Sequence, residues 1–132
     1  MTIAKSGGGY QHAPSSSEVV MGTQGEPPTA TSTATLTAAQ ITGGILVANT
    51  STTAASYTLP TVALLEAVVA NAHNDSSFDL NIVNIGTSSG TITMLVGTGW
   101  TIVGLATITY TTSGIFRARK TGDGAWTLYR LA

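Results

Sequence analysis

The sequence has no cysteine and few charged residues, and both shortages narrow what the protein can do. Without cysteine, disulfides, thiolate nucleophiles and thiolate metal ligands are excluded. Charged residues make up only 8% of the chain, and the formal net charge is −1, whereas a typical soluble domain has about 25% charged residues. Because binding to nucleic acid depends on a basic surface, we expect no nucleic-acid partner.

Long apolar runs and catalytic residue types are also scarce. No run of about 18 apolar residues occurs, so we expect no membrane partner. Only two histidines are present, His12 and His73, and no Gly-x-Ser-x-Gly motif accompanies the many serines. Six acidic residues leave few pairs for acid–base chemistry. We therefore expect no enzymatic activity, no bound metal and no cofactor.

Threonine, serine, alanine and glycine dominate the chain, yet 42% of the residues are hydrophobic. Several segments alternate between apolar residues and threonine, a period of two that is typical of β-strands. Strands that are rich in threonine and poor in charge suit a sheet protein whose surface is largely covered by other copies or partners.

The first 32 residues differ in composition from the rest. They contain Gly7–Gly9, Ser15–Ser17 and Pro27–Pro28, and their only apolar cluster is Val19, Val20 and Met21. Such a segment has too few apolar residues to build a core. We predict an extended N-terminal arm over residues 1–32 and a single domain over residues 33–132.

One helix is predicted, from Val62 to Asn71. Pro60 is tolerated just before a helix, and Thr61 is a good N-cap. We place Glu66 on the exposed side of this helix. The apolar residues recur at helical spacing and predict one broad buried face, formed by Val62, Leu64, Leu65, Val68 and Val69.

After the helix, short strands separated by glycine-rich turns follow one another closely. This spacing is typical of a sandwich or a barrel. We predict an all-β domain, a jelly-roll-like β-sandwich with one short helix. The predicted strands are residues 78–85, 91–96, 101–103, 105–110, 115–120 and 125–131.

The last strand is apolar on both faces. Trp126 and Leu128 point one way, and Tyr129 and Leu131 point the other way. A strand with two apolar faces is either central in a sandwich or covered by another chain. We predict an oligomer interface at Trp126, Tyr129 and Leu131.

Four of the five basic residues lie in the last hairpin: Arg117, Arg119, Lys120 and Arg130. Two interpretations are open. The charges belong to a solvated outer face that protects a sheet edge, or they form a docking patch for an acidic partner surface.

Five segments resemble structural proteins of tailed-bacteriophage heads, namely the small cement or decoration proteins on capsids and related head-fibre modules. These segments are Thr58–Leu65, Phe78–Asn84, Gly90–Met94, Ser113–Arg119 and Trp126–Arg130. The resemblance covers residues 33–132 and specifies no catalytic residue.

The resemblance implies a β-sandwich protomer that forms a homotrimer on the outer surface of the phage capsid and clamps neighbouring subunits of the major capsid protein. On this hypothesis the basic hairpin and the apolar cluster of the arm bind the capsid. The predicted capsid-binding residues are Val19, Val20, Met21, Arg117, Arg119, Lys120 and Arg130.

An alternative function is a receptor- or glycan-binding module of a head or tail fibre. Such a module needs an exposed aromatic cluster in a groove. Trp100 and Tyr110 are the candidates, although both residues also fit a core.

Overall fold

The computed structural model describes residues 21–132, which form two β-sheets and two short helices. The elements in chain order are β1 (Thr29–Ala30), β2 (Ala34–Thr35), α1 (Ala38–Thr42), β3 (Ile45–Ala48), β4 (Ala55–Thr58), α2 (Val62–Val68), β5 (Ser77–Asn84), β6 (Ile92–Leu95), β7 (Trp100–Val103), β8 (Thr107–Ile108), β9 (Ser113–Gly122) and β10 (Ala125–Arg130).

The chain alternates between the two sheets from β1 to β8. The six-stranded sheet has the order β1-β3-β5-β9-β10-β7, and the four-stranded sheet has the order β2-β4-β6-β8. Parallel neighbours need a crossover connection, and here each crossover runs through the other sheet. Strands β1, β3 and β5 are therefore parallel in one sheet, and β2, β4 and β6 are parallel in the other. Each pass through both sheets forms a coil that stacks on the next coil.

The prediction of a largely β fold is confirmed, but the jelly-roll form is not. Among the strand pairs of residues 21–132, five are parallel and three are antiparallel. A jelly roll is built from antiparallel strands. Alternation along a strand shows which residues are buried, but it carries no information on the direction of the neighbouring strand.

The two helices occupy equivalent places in successive coils, after β2 and after β4. Each begins at a threonine N-cap: Thr37 accepts a hydrogen bond from the backbone N–H of Gln40, and Thr61 accepts one from the N–H of Leu64. The second helix ends at Val68, three residues before the predicted end at Asn71.

The buried face of α2 is narrower than predicted. Val62 and Leu65 are buried, and Val69 packs against the core, whereas Leu64 and Val68 are exposed. The helix has only seven residues and lies against the body with one side. Leu64 and Val68 therefore remain outside the contact.

The core lies between the inner faces of the two sheets. Trp126 is 1% exposed, and its ring lies 5.7 Å from the ring of Phe78 and 6.0 Å from that of Trp100. The inner faces alternate with outward residues, as the period of two predicts. The other large buried side chains include Leu36, Ile41, Leu46, Tyr57, Leu59, Leu65, Leu80, Ile82, Ile92, Met94, Ile108, Phe116 and Leu128.

The sheets begin before the predicted domain boundary at residue 33. The carbonyl of Pro28 accepts a 2.9 Å hydrogen bond from the N–H of Val47, so the ladder already includes β1. The side-chain amide of Gln24 donates to the carbonyl of Gly43 at 2.9 Å. These contacts use backbone and amide groups rather than apolar side chains, which is why composition did not reveal them. The part of the predicted arm up to residue 20, including Val19 and Val20, lies outside the described residues.

Asn84 links the two sheets at one end of the molecule. It is buried at the end of β5, and its Nδ2 donates to the carbonyls of Gly90 at 2.8 Å and of Ile108 at 3.0 Å. Its Oδ1 accepts from the N–H of Gly86 at 2.9 Å. One side chain thus satisfies three buried backbone groups, one of them on β8 in the opposite sheet.

We expect Asn84→Ala to lower the free energy of unfolding by about 1–3 kcal/mol, because it removes three hydrogen bonds to buried backbone groups. Urea denaturation measures the change. Asn81→Ala is the matched control, since Asn81 lies on the same strand but is only partly buried and points away from the core. An equal loss in both variants would contradict the structural role of Asn84.

Candidate docking face on the six-stranded sheet

The side of the six-stranded sheet that points away from the core is its outer face. Alternation along β9 places Phe116 and Ala118 in the core, both fully buried, and turns Ile115, Arg117 and Arg119 outward. The outer face has two halves of different chemistry.

One half carries only apolar and uncharged side chains. Val47 pairs with Val83 in the β3–β5 ladder, and Ile115 lies beside Leu131, whose N–H donates to the Ile115 carbonyl at 2.8 Å. Ile85, Ile115 and Leu131 are 50%, 41% and 49% exposed. We define the apolar half by six residues: Ile45, Val47, Val83, Ile85, Ile115 and Leu131.

The other half carries ion pairs that bridge β9 to β5 and to the turn before it. Arg117 pairs with Asp79 at 2.7 Å, directly across the ladder, and Arg119 pairs with Asp75 at 2.8 Å. Arg119 also donates to the hydroxyl of Tyr129 at 3.0 Å. We define the ionic half by these five residues.

The ion pairs perturb the titration of their members. The hydrogen bond from Arg117 lowers the pKa of the Asp79 carboxyl. The hydrogen bonds to Tyr129 and Asp75 raise the pKa of Arg119. Each charge on this half therefore already has a partner within the chain.

The four predicted basic residues do not form one surface. Arg117 and Arg119 lie on the outer face, but Lys120 is mostly buried and pairs with Glu66 at 3.1 Å. Arg130 donates from Nη1 to the carbonyl of Thr107 at 2.7 Å, and its guanidinium lies 5.2 Å from the centre of the Phe116 ring. Lys120 and Arg130 thus hold elements of the fold together.

The sequence predicted that Glu66 lies on the exposed side of α2, but the side chain is partly buried. Its Oε2 accepts a 3.2 Å hydrogen bond from the Trp126 indole in addition to the contact with Lys120. The hydrogen bonds from Lys120 and Trp126 lower the pKa of the Glu66 carboxyl. This carboxylate fixes α2 to the hairpin of β9 and β10.

We expect Glu66 to stabilise the fold only while it is ionised. Because its folded pKa is lowered, its contribution is fully present above its ordinary pKa of 4.5 and is lost as the pH falls through the lower folded value. The difference in unfolding free energy between wild type and Glu66→Gln should therefore shrink below about pH 4.5. Urea denaturation over a pH series measures it. A difference that stays constant or grows on acidification would contradict this role.

The predicted oligomer-interface residues are divided between the core and the surface. Tyr129 and Leu131 lie on the outer face, Tyr129 partly buried and Leu131 exposed. Trp126 lies inside its own chain, so its side chain is not available to a second copy. Among the predicted arm contacts, Met21 is exposed.

Trp100 and Tyr110 do not form an exposed aromatic cluster. Trp100 is buried, and its indole donates to the carbonyl of Pro60 at 2.7 Å. Tyr110 is exposed in the turn before β9. The aromatic groove that the fibre-module alternative needs is not built from these two residues.

Most of the apolar half was not predicted from the sequence. Its signal is the presence of apolar residues at both parities of one strand, as in Ile45-Leu46-Val47 and Ile82-Val83. The interface prediction rested on this signal in the last strand alone. The same criterion identifies β3 and β5 as strands with an apolar outer side.

Within residues 21–132 no group of three or more His, Asp and Glu side chains is placed to hold a metal ion. Neither helix of this part of the chain is long and apolar enough to cross a membrane.

Comparison with protein-family models, with curated proteins and with solved structures finds no match.

Proposed function

We propose that the protein is a non-enzymatic cement protein of a bacteriophage capsid, which acts by docking through the outer face of its six-stranded sheet. The observation that carries the proposal is the apolar half, an uncharged hydrophobic surface on a protein with very few charges. Contiguous exposed apolar patches of a few hundred Å² mark interaction sites in soluble proteins.

The composition of the outer face fits an interface. Interfaces have an apolar centre and a polar rim, and Tyr and Arg are enriched in them. Here Ile115 and Leu131 supply apolar area, and Tyr129, Arg117 and Arg119 lie beside them. Since both arginines are already paired with aspartates, they contribute orientation and selectivity more than affinity.

In the proposed assembly three copies form a homotrimer on the outer surface of the capsid. Tyr129 and Leu131 lie between copies, and the remainder of the outer face meets the major capsid protein. A small domain buries a limited share of its own surface and gains stability from association. Many copies on one shell bind multivalently, so weak individual contacts add up to firm attachment.

Binding to undecorated capsids tests this function. We expect Ile115→Lys to reduce the bound fraction at least tenfold, because the contact would bury a charge that has no partner. Thr58→Lys is the matched control, since Thr58 is a partly buried residue on β4 in the opposite sheet.

Co-sedimentation of each variant with capsids measures the bound fraction, and circular dichroism confirms that both variants fold. If wild type does not co-sediment with any tailed-phage capsid offered, or if Ile115→Lys binds as well as Thr58→Lys, the proposal is wrong.

A further inference from the structure

Each sheet of the molecule has two edges, and one of the four edges differs from the others. The six-stranded sheet ends at β1 and β7, and the four-stranded sheet ends at β2 and β8. An edge strand exposes unpaired backbone N–H and C=O groups, and natural proteins protect such edges.

Three edges are short, and two of these are also obstructed. Strands β1, β2 and β8 have two residues each. The carbonyl of Thr29 on β1 accepts a 3.2 Å hydrogen bond from the side chain of Gln40, and Pro27 and Pro28 precede this strand. The carbonyl of Thr107 on β8 accepts from Arg130 at 2.7 Å. Short strands, prolines and such side-chain contacts prevent the addition of a further strand.

Strand β7 has four residues, and among residues 21–132 none of these protections is found at it. It pairs with β10 in parallel, with Trp100 opposite Trp126, and the N–H of Trp126 donates to the carbonyl of Gly99 at 3.0 Å. In this parallel register the backbone groups of Thr101 face β10, so the N–H and C=O of Ile102 point away from it. Within residues 21–132 no other strand pairs with this side of β7.

Exposed apolar side chains flank this edge, and one charged side chain reaches its end, since Arg130 donates to the carbonyl of Leu105 at 3.2 Å. Val103 and Leu105 are 49% and 62% exposed, and Val103 lies next to Tyr129 in the ladder. Residues 80–116, which include β7, contain no charged residue. A strand edge that has no charged residue of its own, and that no strand of residues 21–132 covers, is a template for pairing with another strand.

We propose that β7 pairs with β7 of a second copy, antiparallel, across a two-fold axis at Ile102. This contact extends the proposed function. It depends on that function in one respect, namely that the units it joins are the proposed trimers. It uses the backbone edge of β7, whereas the contacts within the trimer use the side chains of Tyr129 and Leu131, and the two surfaces adjoin where Val103 lies beside Tyr129.

The geometry favours a second copy as the occupant. In an antiparallel ladder, a hydrogen-bonded pair of opposed residues exchanges both N–H···O=C bonds. Within residues 21–132 no strand pairs with the N–H and C=O of Ile102, so in the proposed contact Ile102 forms such a pair with Ile102 of the second copy. Thr101 then lies opposite Val103, and β-branched residues pair well across strands. No like charges meet, because neither strand carries any.

The contact is weak in free solution. A four-residue strand pair with its flanking side chains buries less than the roughly 800 Å² per partner of a standard interface. On a shell, neighbouring trimers are held close together, and the same contact becomes effectively intramolecular. The edge therefore adds lateral links between trimers.

Disulfide trapping tests the pairing and its register, and the chain has no cysteine to interfere. We expect a mixture of Thr101→Cys and Val103→Cys proteins, at about 100 μM where a weak contact is populated, to form a covalent heterodimer. These positions oppose each other as a non-hydrogen-bonded pair with Cα atoms about 4.5 Å apart, within disulfide range.

Each cysteine variant alone is the control for register. Thr101 of one copy lies two positions away from Thr101 of the other, too far for a bridge. If Thr101→Cys alone cross-links as well as the mixture, the strands pair in another register. If neither does, β7 is not an interface. Either result overturns the proposal.

A second measurement separates this proposal from the proposed function. Sedimentation equilibrium at high concentration should give an even multiple of the chain mass for the wild type. Val103→Lys should halve that mass, while Leu64→Lys, at an exposed position on α2, should leave it unchanged.

The capsid-binding assay completes the distinction. If the mass of Val103→Lys equals that of the wild type, the β7 pairing is wrong whatever the capsid assay shows. If β7 cross-links but the protein does not bind capsids, the pairing stands and the cement function is wrong.

Discussion

The antiparallel pairing of β9 with both of its neighbours is the constraint on which the rest of the structure depends. Strand β9 pairs with β5 on one side and with β10 on the other, and so joins the stacked parallel coils to the C-terminal hairpin. Its register places Phe116 and Ala118 in the core and Arg117 opposite Asp79. A shift by one residue would turn Phe116 to the surface and Arg117 into the core. The core and the ionic half are thus fixed by the same register.

The few charges of the chain are used mainly within the chain. The pairs of Arg117 with Asp79 and of Arg119 with Asp75 are largely exposed, and surface pairs of this kind contribute little to stability. Their main effect is to neutralise one half of the outer face. For this reason the proposed docking relies on the area and shape of the apolar half rather than on a basic patch.

Much of the fold followed from local patterns, because burial on a strand alternates and helices need caps. The helix after Thr61 and the strands around Ile92, Ile108 and Phe116 were predicted on these grounds. The parallel stacking was not predicted, because it depends on which strands meet after a crossover. The sequence does contain a short repeat that matches the stacking. It reads Thr-Leu-Thr at residues 35–37 and Thr-Leu-Pro-Thr at residues 58–61, each before a helix.

The candidate site was predicted only at Arg117, Arg119, Tyr129 and Leu131. The partners of Lys120 and Arg130 are distant in sequence, so their structural roles were not visible.

The proposed function requires the outer face of the six-stranded sheet to be covered in the assembled protein. Side-chain footprinting of the capsid-bound protein against the same protein diluted in solution tests it most directly. We expect Ile85, Ile115 and Leu131 to become protected on assembly, while Leu95, an exposed residue on the four-stranded sheet, stays as reactive as before. Protection of Leu95 without protection of Ile115 and Leu131 would contradict the account.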